Sequence, residues 1–486
     1  MSLDAATVTT HVDRAWDSHV VDTLHEFIRI PNVSMAYDPE WATAGHMAKA
    51  VELLRLWCEQ RVAEGLDGAK VEVLELPGRS PVLLVDVPAT PGAHPDGADR
   101  DDADTVVLYG HLDKQPPFEG WREGLGPWEP VVEGDRLYGR GAADDGYAVF
   151  AALTAIAANH AAGGEHARCV VLIEASEESG SPDLPAYLQE HGERLGTPSL
   201  VVALDSGCAD WDHLWVTTSL RGLVDLTLRV DMLTEGIHSG SAGGVVPSTF
   251  RVLRLLLDRI EDSATGRLLA PELHVDVPDV RRRQIRDMAA DVGAVDAAEY
   301  PFVDGAGPPP DASDEELIVA RTWEPSLEVT GVGGAPPPGS AGNVLRPSTA
   351  LKLSIRVPPT ADPQIAAAAL VQQLTAEPPY GAKVTVTPGG AEPGWHAPPE
   401  VPWLAAALEA ASLATFGTPP RSLGEGGTIP FMGMLGRQFP EAQFMITGVA
   451  GPGTNAHGPN EFLHVPTARR VTAAVAHVLD AHAHRS

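Results

Sequence analysis

TVVLYGHLDKQPP, residues 105–117, begins as an unbroken apolar run and ends in an imidazole and a carboxylate. A run with no polar alternation reads as a strand covered on both faces, and His111 and Asp113 then follow its carboxyl end. CVVLIEA at 169–175 repeats the arrangement with Glu177 and Glu178 behind it, and SLVVALD at 199–205 closes on Asp205. PVLLVDV at 81–87 is a further apolar run. Val149, Leu153 and Ile156 recur at helical spacing between TVVLYG and CVVLIEA. Strand, helix and strand in succession predict an α/β domain, a largely parallel sheet with flanking helices. The carboxyl ends of parallel strands share one edge, so polar residues far apart in sequence can converge there.

Outward from this centre, Met47, Val51, Leu54 and Cys58 mark one face of an amphipathic helix. From about 214 the pattern changes. WVTTSLRGLVDLTLRVDM alternates like a half-exposed strand, FRVLRLLLDRI is helical, LKLSIRV is a strand, and QIAAAALVQQL is helical before KVTVT. These segments predict a small α+β domain with helices on one face of an antiparallel sheet. DGAGPPPDAS at 304–313 and GVGGAPPPGSAG at 331–342 read as surface loops, and PGGAEPGWHAPPE at 388–400 as a link back to the first domain. The α/β pattern resumes in PWLAAALEAASLATF, AQFMITGVA and a last helix around 467–483. The expected division is 1–213 and 391–486 for the first domain, with 214–390 inserted.

A chain of 486 residues, 44% hydrophobic and 21% charged, exceeds the size of one core. Its 34 basic and 66 acidic residues leave a charge of −32, which repels phosphate backbones and anionic lipid. Neither nucleic acid nor membrane is an expected partner. Cys58, Cys169 and Cys208 lie in or beside apolar segments without disulfide or zinc-ribbon spacing, and read as reduced thiols. No signal-like h-region and no run of 18 apolar residues occurs, so a cytoplasmic protein is expected.

GRGAADDG adds Asp144 and Asp145, and the loop GPGTNAHGPNEF after AQFMITGVA adds His457. Two imidazoles with several carboxylates suit a pair of borderline-hard divalent ions. Five separate segments each put a ligand-type residue at a strand end or in a Gly-rich loop, and one shared metal site accounts for all of them.

GHLDKQPP, YGRGAADDG, EASEESGS, ALDSG and NAHGPNEF stand in the order of the metal-binding motifs of M20 metallopeptidases, and the sequence resembles that family over nearly its whole length. The resemblance implies a zinc-peptidase-like catalytic domain with an inserted ferredoxin-like lid that also dimerises. It implies that Asp144, three positions after Gly141, bridges two metals, with His111 and Asp205 completing one ion's shell and Glu178 and His457 the other's. Glu177 would be the general base toward a metal-bridged water, and Asp113 would orient the His111 imidazole. The peptide bond between Asp144 and Asp145 would be cis. His238 in GIHSG matches a histidine that reaches across a dimer to stabilise the oxyanion. Arg356 in SIRVPP would grip the substrate carboxylate. Gly427 and Thr428 in GEGGTIP, and Asn343 in GNVLRP, would contact the substrate.

Within the family, Asp at position 205 resembles the dipeptidase side rather than the aminoacylase or desuccinylase side, and ESGS, RTWEPSLEV and SIRVPP look most like carnosinase-type enzymes. The implied activity is hydrolysis of the amide bond of a dipeptide with two divalent ions, Zn first and Mn or Co as alternatives. The same scaffold also accommodates an N-acyl- or N-carbamoyl-amino-acid hydrolase. A non-catalytic binding protein would have lost the base or the bridging ligand, and both are present. Two departures stand out: the family's DDKG is replaced by DDG followed by Tyr147, and HSGSAGG lacks the usual aromatic turn.

Overall fold

A computed structural model describes residues 3–91, 104–294, 300 and 302–485. Among the described residues a nine-stranded sheet forms the larger domain. Four of its strands run parallel at its centre, in the order Arg168–Glu174, Thr105–His111, Pro198–Ala203 and Gln443–Ile446. Val82–Val87 joins antiparallel outside Arg168–Glu174 and is followed by Lys70–Leu74.

The absence of polar alternation has a direct cause. Val106 and Leu108 enter one core, with Phe150 and Leu153 of Ala148–Ala161 and Val471 and Val475 of Val465–Ala483. Val107 and Tyr109 enter another, with Leu184 and Tyr187 on one helix and Phe431, Met432 and Leu435 on a second. Each face of the strand meets helices, so successive side chains, which point to opposite faces, must all be apolar. Met47, Val51, Leu54 and Cys58 are buried along His46–Ala63, as their spacing predicts.

WVTTSLRGLVDLTLRVDM is not one strand. Trp215–Leu220 is buried at every position and lies in the large sheet, parallel to Arg421–Glu425 and antiparallel to Trp395–His396. Gly222–Asp231 alternates buried and open residues and belongs to the small sheet. The chain thus leaves the large sheet at Arg221 and is back in it at Trp395. Hydrophobicity cannot reveal a strand that changes sheets halfway, but the crossing does require glycine: a Cβ on Gly222 would stand 2.6 Å from the Glu392 carbonyl oxygen.

The small sheet is antiparallel, in the order Ser326–Gly333, Ser348–Val357, Gly222–Asp231 and Lys383–Glu392. This is the second, third, first, fourth strand order of a ferredoxin-like domain. Its core takes Val252, Leu253 and Leu256 from Thr249–Leu257 and Ala366, Leu370 and Leu374 from Pro363–Thr375. Two expected loops begin later than expected: 331–333 completes a strand with an irregularity between Val329 and Gly331, and 388–392 completes another past Pro388. Lys383–Glu392 is an edge strand, where proline is tolerated.

The segment between the two sheets does not all pack on the small one. Asp279–Val292 and Asp314–Thr322 return to the large domain, where Val277, Ile285, Met288, Ile318 and Trp323 pack with Cys208, Trp215 and Leu423. All three cysteines are buried and unbridged. Among the described residues no helix is long and apolar enough to cross a membrane.

Candidate metal centre

The carboxyl edge of the parallel strands gathers the polar residues. His111 ends its strand, Glu177 and Glu178 form a short helical turn beyond Glu174, and Asp205 lies two residues past Ala203. Asp144 and His457 arrive from loops. The peptide bond between Asp144 and Asp145 is cis.

The two oxygens of Asp144 face different imidazoles: Oδ1 is 3.2 Å from His111 Nε2 and Oδ2 is 2.9 Å from His457 Nε2. His111 Nε2 lies 3.8 Å from Asp205 Oδ1, and His457 Nε2 lies 3.2 Å from Glu178 Oε2. Ligand-type atoms of His111, Asp144 and Glu178 fall within 4.8 Å of one another, as do those of His111, Glu177 and Asp205. The second grouping places Glu177 close enough to be a ligand as well as a base. Glu177, Asp144, Asp205 and His457 line a cavity of about 180 Å³ with Gly427 and Thr428. A larger cavity of about 430 Å³, between His19, Arg61 and Leu153, has a single carboxylate, Glu64, in its lining.

Two imidazoles face four carboxylates here, an excess of negative charge that divalent cations would offset. Burial, reinforced by Asp144 and Glu178 and opposed by His111, pushes Asp205 up to about 7. Burial, then the charge of Asp205, pushes Glu177 well above the carboxylate range. Asp144 goes the other way: burial opposes its charge, but His457 and His111 hold it far below. Glu178 Oε1 is buried without a hydrogen-bond partner. An orphaned buried oxygen is costly unless something satisfies it, and the donor set of imidazole and carboxylate fits a divalent ion.

Asp113 contacts more than His111, whose Nδ1 is 3.0 Å from the Asp113 backbone carbonyl oxygen. Its Oδ1 lies 3.4 Å from His111 Nδ1, and its carboxylate accepts the backbone N–H groups of Glu177 and Glu178, each at 3.1 Å. The fully buried Asp113 thus fixes three functional residues at once. Gln115 donates to Glu178 Oε2 at 2.5 Å, and Glu425 accepts the Gly207 N–H at 2.8 Å, anchoring the chain just after Asp205. Glu461 accepts the N–H groups of Gly141, Ala143 and Asp144 and pairs with Arg140. Sequence reading did not single out Gln115, Glu425, Glu461 or Arg140, although all four lie inside the quoted motifs. Their signal was adjacency alone, because a residue that holds a backbone amide needs no particular spacing.

Lys114 is fully buried, with its ammonium donating to the Phe27 and Ile30 carbonyls at 2.7 and 2.8 Å and standing 4.0 Å from the Phe27 ring centre. Gly146, directly after Asp145, has no room for a side chain, since an added Cβ would collide with the Gly141 carbonyl and the Phe27 ring. Tyr147 is buried and donates to the Leu204 carbonyl at 2.5 Å, next to Asp205. The missing lysine after Asp145 thus coincides with a space already filled by Phe27, and Lys114 is a buried cation close by. Gly146→Ala is expected to cost about 1–3 kcal/mol by overpacking, seen as a lowered denaturation midpoint with unchanged m-value.

The remaining expected residues lie on the small domain. Arg356 is partly buried and donates from Nη1 to Thr428 Oγ1 at 3.4 Å, which joins it to the cavity rim. His238 is exposed on the two-residue strand Ile237–His238, and its Nδ1 accepts the Gly240 N–H at 3.1 Å. Asn343 is exposed beside it, its carbonyl accepting the Ser239 N–H. Within one chain, neither His238 nor Asn343 is among the residues lining the cavity.

Comparison with known proteins identifies the family. Residues 107–481 match the family described as Peptidase family M20/M25/M40. The cysteinylglycine-S-conjugate dipeptidase of Corynebacterium striatum is 29% identical over 386 residues, 78% of this chain and 81% of that one. The β-Ala-His dipeptidase of Mus musculus is 24% identical over 465 residues, 91% and 88% of the two chains. The solved structure of the dipeptidase Dug1p from Saccharomyces cerevisiae superimposes with a TM-score of 0.79 at 21% identity, covering 100% of both chains. The matched span includes all five of the motifs from GHLDKQPP to NAHGPNEF, and the chain belongs to peptidase family M20/M25/M40.

Proposed function

We propose that the protein is a two-metal dipeptidase. The observation that carries this reading is Asp144 with one oxygen toward His111 and the other toward His457, the disposition of a carboxylate shared by two ions. His111 and Asp205 would hold one ion, and Glu178 and His457 the other. When bound, two divalent ions supply Lewis acidity, polarising a scissile carbonyl and lowering the pKa of a water. Zn is the first choice among Zn, Mn and Co, all of which suit these ligands.

Glu177 then accepts a proton from the attacking water and returns it to the leaving amine. Its burial and the neighbouring Asp205 raise its proton affinity above that of an ordinary carboxylate, the direction that favours taking up a proton. Asp113 keeps Glu177 and Glu178 in fixed relation through their amides. Arg356 binds the substrate's free carboxylate in a planar guanidinium grip, with Gly427 and Thr428 beside it and Asn343 reaching in from the lid. His238 lies outside the cavity of its own chain, which supports a homodimer in which it completes the site of a second copy. The acidic surface and the reduced thiols suit a cytoplasmic setting.

Arg356→Ala is expected to raise KM about 10–100-fold, the loss of a charged hydrogen bond worth roughly 1.5–3 kcal/mol, with metal content unchanged. Steady-state kinetics with metal analysis checks both halves of that statement. The reading as a whole is tested by assaying chelated protein before and after Zn or Mn is restored, on free dipeptides including β-alanyl-histidine and on N-acetylated amino acids. Metal-dependent cleavage confined to free dipeptides is the expected result. Cleavage of only the acylated compounds assigns the protein to N-acyl-amino-acid hydrolysis, and no turnover with any metal assigns it to binding without catalysis.

A further inference from the structure

The two halves of the metal centre are built differently. His111 and Asp205 stand at or just past the ends of Thr105–His111 and Pro198–Ala203, adjacent parallel strands of the large sheet. His457 stands on an irregular loop in which Asn455, His457 and Asn460 all have positive φ, at 51°, 66° and 65°. Its side chain is 57% exposed, against 0% for His111 and 15% for Asp205. A sheet ladder fixes the first half, and the second half needs something else.

The Arg140–Glu461 pair is placed to supply it. Both residues are buried, at 1% and 0% exposure. Glu461 Oε2 receives Arg140 Nη1 at 2.7 Å and the Gly141 N–H at 3.1 Å, and Oε1 receives the N–H groups of Ala143 and Asp144 at 3.2 and 3.3 Å. The second nitrogen of the fork, Arg140 Nη2, donates to the carbonyl of Gly458, the residue after His457, at 2.5 Å. Arg140 and Glu461 thus tie the turn carrying Asp144 to the loop carrying His457. The fork geometry of arginine allows both bonds at once, which a lysine ammonium reproduces poorly. Buried ion pairs contribute little net stability relative to apolar packing, so this one is better explained by the positions it sets.

We propose that Arg140 and Glu461 are positioning residues that hold His457 against Asp144, so that breaking the pair weakens the Glu178/His457 ion selectively and leaves the His111/Asp205 ion in place. This rests on the two-metal reading. The test is Zn titration of the full-length chain, freed of metal by chelation, for wild type, Glu461→Gln, Arg140→Lys and His457→Ala, with circular dichroism confirming the fold. Wild type is expected to bind two Zn ions. Glu461→Gln is expected to bind one at wild-type affinity and the other at least about 10-fold more weakly, the usual size of an outer-sphere effect on a metal. Arg140→Lys, which keeps the buried charge, is expected to show the same pattern to a smaller degree and serves if Glu461→Gln does not fold. In the His457→Ala background neither substitution should weaken the remaining ion further. Unchanged affinities in a folded variant, equal weakening of both ions, or further loss in the His457→Ala background would each overturn the proposal. A wild type that does not bind two ions overturns the two-metal reading itself, and the inference with it.

Discussion

Glu177→Gln is expected to lower kcat by roughly 10²–10⁴-fold, the span of general acid–base catalysis by one side chain, while two equivalents of metal remain bound. Glutamine keeps the shape of the side chain and removes its capacity to accept a proton. The expectation of intact metal content is the sharper half, because Glu177 lies within 4.8 Å of ligand-type atoms on both His111 and Asp205 and could serve as a ligand on distance alone. The local structure argues for the base. The two oxygens of Asp113 receive the consecutive amides of Glu177 and Glu178, which fixes the turn while only Glu178 is engaged with His457 and Gln115. Metal analysis of the purified variant beside its turnover number decides the matter. A variant that loses one ion along with activity would make Glu177 a ligand and leave the proton transfer to another group.

What the sequence made legible follows from what burial does to composition. Residues 106–109, 170–173 and 200–203 sit between two helical layers, so these stretches are apolar and the runs announce themselves. The polar residues at their ends stand out by contrast, which is why His111, Glu177, Glu178 and Asp205 could be singled out before any geometry was known. Trp215–Leu220 escaped the same logic because Thr217, Thr218 and Ser219 are buried polar residues that imitate exposure: Thr217 is hydrogen-bonded to Ser206, and Thr218 to the Leu423 carbonyl. The return of Asp279–Val292 to the large domain was also illegible, since an amphipathic helix shows that it has an apolar face but not which surface covers that face. His238 marks a different limit. Its motif is plain in the sequence, yet in one chain it is a surface residue outside the cavity, and the proposed role needs a second copy to bring it there.

Asp144 and Asp145 make the strongest pair of opposed expectations, because they are adjacent and identical in type. Asp144 is held far below the carboxylate range by His457 and His111 despite its burial, so its negative charge is what the site is built around. Asp144→Asn keeps the side-chain volume and removes that charge from both half-shells at once. Both ions should be lost or bound far more weakly, and activity should fall by at least about 10⁴-fold, beyond the range of a lost proton-transfer group. Asp145 faces the other way. Its Oδ2 accepts the His111 N–H at 3.2 Å, its Oδ1 is buried without a partner, and burial together with Asp205 pushes its carboxyl well above the usual range. A carboxyl whose charge is disfavoured by burial loses less on becoming an amide than one held ionised. Asp145→Asn is therefore expected to keep both ions and activity within about 10-fold of wild type, the discrepancy of one modest hydrogen bond. Metal stoichiometry and kcat/KM of the two variants side by side test the assignment. The reverse pattern, with Asp145→Asn losing metal and Asp144→Asn keeping it, would move the shared ligand one residue along the chain.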